Sequence, residues 1–513
     1  MGSPISATPP LCNDYKIGSA AYLSKAPQLD HRKMAMEEKP SLAPTLVHGR
    51  IAVKDRKPTV FQIALAIFCI ALVVRLLLFF TVQGALRNDQ AGYYGSVAVA
   101  IQQGWGLTFE QGEIDRILDA PKNHTGDYLK LRSEGPRQLF TEYLPGPAVL
   151  LSLLWSLTGI HTFAPLVLLQ ILIDSISIAL LYVVLARHSQ RLALATCLLL
   201  VINLASIKRT LMVGYDFWPQ VEVLAIFMAT LEFLERRRGQ WVLWAAGGVG
   251  AIIPWFRDIT SLLPFVIAAM LIGTQMLKSG RRGLGRAFGG SAALLAPVMI
   301  SLLLMSVFRY ETTGSFRPTR STLWHTVMCG IGQFPNPYGL SNNDQSIWEY
   351  GKSINPSLSQ YNLDDMYRLP GSPYETTLKA KATEFMQVHP VQFVRNIFYR
   401  IGIMISPFLY RDGDFLPPAI AERLFPLGFC LFPLWIAGMI YLFKKYRTVF
   451  LVAAAIYVYF FVTFGWLYVN GRLILAFSFQ SMLVYLLGLE WLVTSFWPAR
   501  KEPVKELEEA EVG

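Results

Sequence analysis

The sequence predicts an all-α polytopic membrane protein, a bundle of about 10–12 transmembrane helices with two outward-facing loops that carry interfacial helices. Three observations predict it. The chain of 513 residues is 53% hydrophobic and only 16% charged, with a mean hydropathy of +0.38, a balance that excludes a soluble globular domain of this size. Separate apolar runs approach or exceed the length that crosses a bilayer. Lys and Arg gather in short connections and tails, so the net charge of +11 reports orientation, not nucleic-acid binding.

Residues 1–57 are polar and rich in Pro, Lys and Glu, with no apolar stretch of the signal-peptide kind. They are expected to form a disordered cytoplasmic tail. The first span follows at 60–83. Four positive clusters lie at Arg187/His188/Arg191, Glu235 to Arg238, Lys278 to Arg286, and Lys444 to Arg447. Placing all four in the cytoplasm gives spans at about 163–186, 191–207, 218–235, 241–256, 259–277, 288–308, 424–443, 447–467 and 473–495. That makes ten spans with both termini inside. Two further apolar segments, 145–160 and 391–410, are read as interfacial or half-crossing helices; if each crosses, the count is twelve and one positive cluster falls on the wrong side. The resulting organisation is a transmembrane catalytic module at 58–308 containing outer loop 84–144, an outer-face region at 309–390, C-terminal helices at 391–497 and a second cytoplasmic tail at 498–513.

The two long loops and the short connections carrying Asp216 and Arg257 converge on the outer face, where function is expected to reside. Asp89 opens the first loop in Asn88-Asp89-Gln90-Ala91-Gly92-Tyr93-Tyr94, and Glu142 closes it in Thr141-Glu142-Tyr143-Leu144-Pro145-Gly146-Pro147. A carboxylate held at a membrane boundary is costly unless it is used or paired. Two such groups can share a divalent cation, or one can act as general base while the other stays ionised; capping of the adjacent helices is the plainer alternative. The remaining loop acids, Glu110, Glu113, Asp115, Asp119, Asp127 and Glu134, read as charge for solubility.

Asp216 stands between two spans, ahead of Phe217-Trp218-Pro219, as either a functional acid or a helix N-cap. Glu222 would enter the bilayer, as a functional acid or the partner of an Arg. Arg257, Arg309 and Arg472 offer planar forks of donors suited to a lipid phosphate, against the alternative of snorkelling to the interface. Lys208 and Arg209 read as flanking charges. The cysteines, Cys12, Cys69, Cys197, Cys329 and Cys430, form no CxxC pair and imply no disulfide framework. His124, His161, His325 and His389 show no metal-ligand spacing, and Asn123-His124-Thr125 fits an N-glycosylation acceptor. No nucleotide-binding or hydrolase motif is present, so no nucleotide or organic cofactor is expected.

The order of segments resembles a known family. An apolar first span is followed by NDQAGYYGSVAVAIQQGWGLTF and TEYLPGPAVLLSLLWSLTGI, then LMVGYDFWPQVE, IIPWFRDITSLLPF, an outer loop with GSFRPTRSTLWHTVMCGIGQFPNPYG, and a closing GRLILAFSFQSMLVYLLGLEWLV. Over about residues 60–495 this is similar to the GT-C fold glycosyltransferases, in particular the group with the dolichyl-phosphate-mannose protein mannosyltransferases and the aminoarabinose lipid A transferase. The resemblance implies transfer of a sugar from a polyprenyl-phosphate donor to a lipid, glycan or protein acceptor on the outer or lumenal face of a plasma, inner or ER membrane. It implies Asp89 as base or metal-binding acid, Glu142 as an acid that helps hold a metal, Asp216 as an acid near the active site, and Arg257 and Arg472 near the carrier phosphate. The chain departs from the pattern where Gln90 follows Asp89 in place of a second acid, and where the segment before the last helix is reduced to Asn470-Gly471-Arg472. The rival class is a transporter or flippase, against which stand two large loops and the lack of an obvious internal repeat.

Overall fold

The computed structural model describes residues 58–82, 89–120, 126–141, 143–214, 216–235, 237–279, 281–319, 322–360, 373–405, 431–467, 469 and 476–496. The chain divides into two compact units, 1–57 and 58–513, and every described residue belongs to the second. Both predicted tails therefore lie outside the described residues.

Each predicted span overlaps helix among the described residues, although the one at 191–207 is broken in two and the starts of those at 424–443 and 473–495 lie outside the described residues. α1 (Val60–Thr81) opens on a capping box: Thr59 accepts from the Gln62 amide at 3.3 Å while Gln62 accepts from the Thr59 amide at 2.8 Å. The chain continues through α2 (Asp89–Gln102), β1 (Thr108–Phe109), α3 (Gln111–Asp119), β2 (Gln138–Leu139), α4 (Gly146–Thr158), α5 (Ala164–Leu185), α6 (Gln190–Ile202) and α7 (Leu204–Leu211). It goes on to α8 (Trp218–Leu234), α9 (Trp241–Ile252), α10 (Leu263–Ser279) and α11 (Arg281–Thr313). α12 (Leu323–Gly332), α13 (Asp344–Ile354), α14 (Pro373–Val388) and α15 (Pro390–Ile405) follow, then α16 (Phe432–Lys445), α17 (Arg447–Phe464) and α18 (Ser478–Phe496).

Among the described residues, six helices are long and apolar enough to cross a membrane alone, and the bent pair α6–α7 makes seven. α4, α8, α9 and α16 are apolar but shorter, at 12–17 residues. The 145–160 segment is thus a helix of 13 residues, short for a crossing as expected.

The 55° bend between α6 and α7 has a local cause. Asn203 leaves the helical conformation at the end of α6, and its side-chain oxygen then caps α7 by accepting from the amides of Ala205 at 3.0 Å and Ser206 at 3.3 Å. The turn carries Lys208 and Arg209 into the bundle, where both are buried.

The positive clusters meet at one end. Arg187 pairs with Glu232 and His188 lies 3.0 Å from Glu235, while the His188 ring packs on Tyr446 and Lys445 reaches Glu490 at 3.2 Å. α8, whose last turns carry Glu232, begins at its other terminus just after Asp216. α16 and α18 approach so closely that a Cβ on Gly438 would lie 2.0 Å from the Val484 carbonyl oxygen, and one on Gly488 would lie 2.2 Å from that of Leu434. Small residues at such a crossing let backbones touch where lipid supplies no hydrophobic drive. Gly438→Val is expected to destabilise the protein by about 3 kcal/mol by forcing these helices apart; thermal unfolding in detergent measures this.

The described residues of 84–144, the first loop expected on the outer face, are folded. β1 and β2 pair antiparallel, Thr108 opposite Leu139 and Phe109 opposite Gln138. Two of its acids do not solvate the surface. Glu113 is fully buried, accepting from Ser96 Oγ at 2.7 Å and the Ser133 amide at 3.1 Å and pairing with Arg137. Glu110 caps α3 through the amides of Gly112 at 3.0 Å and Glu113 at 2.8 Å. Burial works against the Glu110 charge, but these amides and the Ser133 hydroxyl outweigh it and hold its pKa below the ordinary value. These two acids hold the loop together, which corrects their reading as solubility charge.

In the 309–390 region α12 packs on α14, whose Glu375 accepts from the amides of Trp324 at 3.0 Å and His325 at 3.3 Å. α15, within the segment 391–410 read as an interfacial or half-crossing helix, carries Arg395 and Arg400. Arg400 is instead buried, donating to the carbonyls of Gly330 and Gly465 and to Gln333, so it ties α15 to α12 and to the end of α17.

Candidate functional site

The site assembles where α7 and α9 end and α8 begins. Asp216 lies in the connection between α7 and α8 and is 7% exposed. Its Oδ2 lies 3.3 Å from Arg209 Nη1 and its Oδ1 lies 3.7 Å from Arg257 Nη1. It does not cap α8, whose N-cap is Phe217 without a side-chain hydrogen bond; Pro219 starts that helix instead. The Trp218 and Phe256 rings, with centroids 4.3 Å apart, lock the Asp216 turn against the Arg257 turn. The structure thus brings together two of the residues singled out in the sequence, Asp216 and Arg257. It adds Arg209, which sequence reasoning set aside because only the α6–α7 bend turns that side chain inward.

The other expected residues are less fully described. Asp89 is the first residue of α2, and nothing of its side chain is described. Glu142 and Arg472 lie outside the described residues. Their surroundings are visible. One cluster of buried residues joins Ala91, Ala98 and Val99 of α2, Leu151 and Trp155 of α4, Phe217 and Trp218, and Phe256. A Cβ on Gly146 would meet the Trp255 carbonyl oxygen at 2.6 Å, so the start of α4 sits directly on the turn before Arg257. Thr141, Tyr143 and Pro145 line a narrow cleft with Phe308 and Arg309 of α11, which places Arg309 beside the segment around Glu142.

Beneath this end runs an apolar groove of about 570 Å³ between α4, α9 and α11. Val149, Leu153, Ile252, Ile300 and Leu304 line it, and Trp255 and Phe256, the two residues before Arg257, form part of its wall. A groove of this lining suits a hydrocarbon chain, and Arg257 follows in sequence directly on two of its wall residues.

Deeper in the bundle lie buried polar groups, of which the sequence reading singled out Glu222 but not Arg75 or Asp174. Arg75 of α1 and Asp174 of α5 are fully buried and paired with each other, and Gln220 donates to Asp174 at 3.3 Å and to Ser206 Oγ at 3.4 Å. Glu222, fully buried, accepts from the Thr260 hydroxyl and not from an arginine, and its Oε1 has no hydrogen-bond partner among the described residues. The signal for Arg75 and Asp174 was present: each is a lone charge inside an apolar run.

One group of histidine, cysteine and acid side chains among the described residues is placed to hold a metal ion: His325, Cys329 and Asp344, in the second outer region. This corrects the reading that His325 lacks ligand spacing. The expected site at Asp89 and Glu142 involves side chains that are not described.

No family model matches the chain, and no curated protein sequence does. Two crystal structures of the Archaeoglobus fulgidus oligosaccharyltransferase are similar to it, each at 14% identity. One is tethered to an acceptor peptide containing the NVT sequon, with a TM-score of 0.46 over 84% of this chain and 50% of that one. The other is a complex with zinc and sulfate, with a TM-score of 0.42 over 85% of this chain and 49% of that one. The chain therefore spans about half the length of the solved structures it matches.

Proposed function

We propose that the chain is an integral-membrane glycosyltransferase of GT-C type, transferring a sugar from a polyprenyl-phosphate carrier to a lipid, glycan or protein acceptor at the membrane face opposite its positive clusters. The observation that carries this reading is Arg257, paired with Asp216 and adjoining Trp255 and Phe256 in the wall of an apolar groove wide enough for a hydrocarbon chain. A groove alone would bind any lipid; a guanidinium at its polar end selects an anionic head group.

The reaction is displacement at the anomeric carbon. Asp89 takes the proton of the acceptor hydroxyl, the acceptor oxygen bonds to the anomeric carbon, and the bond from that carbon to the phosphate oxygen breaks. The leaving polyprenyl phosphate gains negative charge, which Arg257 and Arg472 stabilise. Asp216 orients Arg257 and is a positioning residue in this scheme. Glu142 supports Asp89, and the two carboxylates could share a divalent cation, but no step above needs one. The phosphate is a good leaving group, so no strong general acid is required.

The test is sugar release by the purified protein from radiolabelled polyprenyl-phosphate sugars, with a crude membrane extract supplying acceptors. Wild type should release sugar. Arg257→Ala should raise the donor KM by about 10–100-fold, the loss of charge-assisted hydrogen bonds. Donor binding without release from any carrier by wild type would favour the flippase class and sink the enzyme reading.

A further inference from the structure

We infer that His325, Cys329 and Asp344 form a binding site for a zinc-class divalent cation, one that clamps the start of α13 to α12 in the second outer region. Two helices supply the ligands. His325 and Cys329 stand one turn apart on α12, so their side chains share a face. Asp344 is the first residue of α13, fixed there by Asn343, whose side chain accepts from the Ser346 amide at 2.7 Å.

The three donor atoms converge on one point. His325 Nε2 lies 3.1 Å from Asp344 Oδ1 and 3.5 Å from Cys329 Sγ, and Sγ lies 3.9 Å from Oδ1. A tetrahedral zinc ion with ordinary bond lengths would set these edges at about 3.4 Å for nitrogen to oxygen and about 3.6 Å for those to sulfur. Each observed separation falls within about 0.3 Å of that geometry. A thiolate and a carboxylate would together neutralise a dication, and the imidazole would add no charge.

The same atoms could form a hydrogen-bond relay, but the geometry argues against it. A relay through histidine uses both ring nitrogens, one towards each partner. Here thiol and carboxylate meet the same nitrogen, Nε2, and Nδ1 is engaged by the Tyr374 hydroxyl at 2.6 Å. That second contact is what a metal-bound imidazole requires: Nδ1 keeps the proton and donates it to an outer partner, leaving the Nε2 lone pair for the ion. Tyr374 is itself held in place. Its ring packs on Trp348 with centroids 4.9 Å apart, and its neighbour Glu375 accepts from the backbone amides at the start of α12.

Access is on one side only. His325 and Cys329 are 4% exposed, whereas the Asp344 side chain is 59% exposed. An ion can enter past Asp344, and water can fill the fourth position.

The experiment uses the full purified chain in detergent, titrated with cobalt(II) as a spectroscopic stand-in for zinc. Wild type should bind and show a thiolate-to-cobalt charge-transfer band in the near ultraviolet, which zinc then abolishes by displacement. Cys329→Ser should lose the band although Cys12, Cys69, Cys197 and Cys430 remain. Asp344→Asn, at an exposed position that folding tolerates, should keep the band but bind cobalt more than about 10-fold more weakly. No band in wild type, a band surviving in Cys329→Ser, or unchanged affinity in Asp344→Asn would each overturn the assignment. A cation on Asp89 and Glu142 has oxygen ligands only and gives no such band, so the two sites cannot be confused.

Discussion

Asp89→Asn is expected to lower sugar transfer by about 10²–10⁴-fold, the range supplied by one general base, while the protein stays folded and binds its donor. Asparagine keeps the size of the side chain and is as good a residue at a helix start as aspartate, so α2 should form unchanged. What it loses is the ability to take a proton. α2 is a firm platform for such a group: Ala91, Tyr94, Val97 and Ala98 are fully buried, and a Cβ on Gly92 would collide with Ile114 of α3 at 2.7 Å. Donor affinity should hold because the phosphate contacts are assigned to Arg257 and Arg472. The measurement is a single-turnover rate with radiolabelled donor, alongside equilibrium donor binding. An Asp89→Asn protein as active as wild type would leave the groove and Arg257 in place but move the base elsewhere.

The fold was legible because its main signal is one-dimensional. A run of apolar residues long enough to span a bilayer announces a helix regardless of its neighbours, and α1, α5, α10, α11, α17 and α18 all fall where the runs are. Charge clusters then ordered them. The site was only partly legible, because pairing in space leaves little trace in the sequence. Asp216 and Arg257 stood out, each beside aromatic residues at the end of a span. Arg209 did not: its role depends on the bend at Asn203, and an Asn in an apolar stretch does not reveal which way the chain will turn. Glu113 and Arg400 were misjudged for a similar reason. Glu113 in a polar loop reads as solvated, and Arg400 in an apolar segment reads as reaching the interface, until their partners, Arg137 for one and the Gly330 and Gly465 carbonyls for the other, are seen around them. The His325, Cys329 and Asp344 group escaped notice because Asp344 comes from another helix, and two ligands alone define no site.

Asp216→Asn separates what this acid does for the fold from what it does for the reaction. The carboxylate sits between two guanidinium groups, Arg209 being 4% exposed and Arg257 18% exposed. Removing its charge leaves Arg209 in low-dielectric surroundings with one counter-ion fewer, a change that costs about 3 kcal/mol at a buried pair. The lower end of the known range applies because the contacts, at 3.3 and 3.7 Å, are looser than a tight bidentate pair. The second effect runs in the opposite direction. Without Asp216 the site carries one more net positive charge beside the carrier phosphate. The donor is a phosphodiester with one negative charge, whereas the departing polyprenyl phosphate is a monoester that can carry two. Added positive charge therefore favours product over substrate. Asp216→Asn should make polyprenyl phosphate about 10-fold more inhibitory, equivalent to about 1.4 kcal/mol of extra attraction, and should slow turnover through product release more than it weakens donor binding. Thermal unfolding measures the first effect, and inhibition by added polyprenyl phosphate measures the second. A variant that loses stability but shows unchanged inhibition would make Asp216 a counter-ion for Arg209 alone, with no hold on the phosphate. If neither quantity moves, the Arg209–Asp216–Arg257 cluster is not the polar end of the groove. The balance between the two effects bears on why an acid would stand at the phosphate site of the proposed reaction: there, Asp216 keeps Arg257 in place and, by offsetting its charge, lets the product leave.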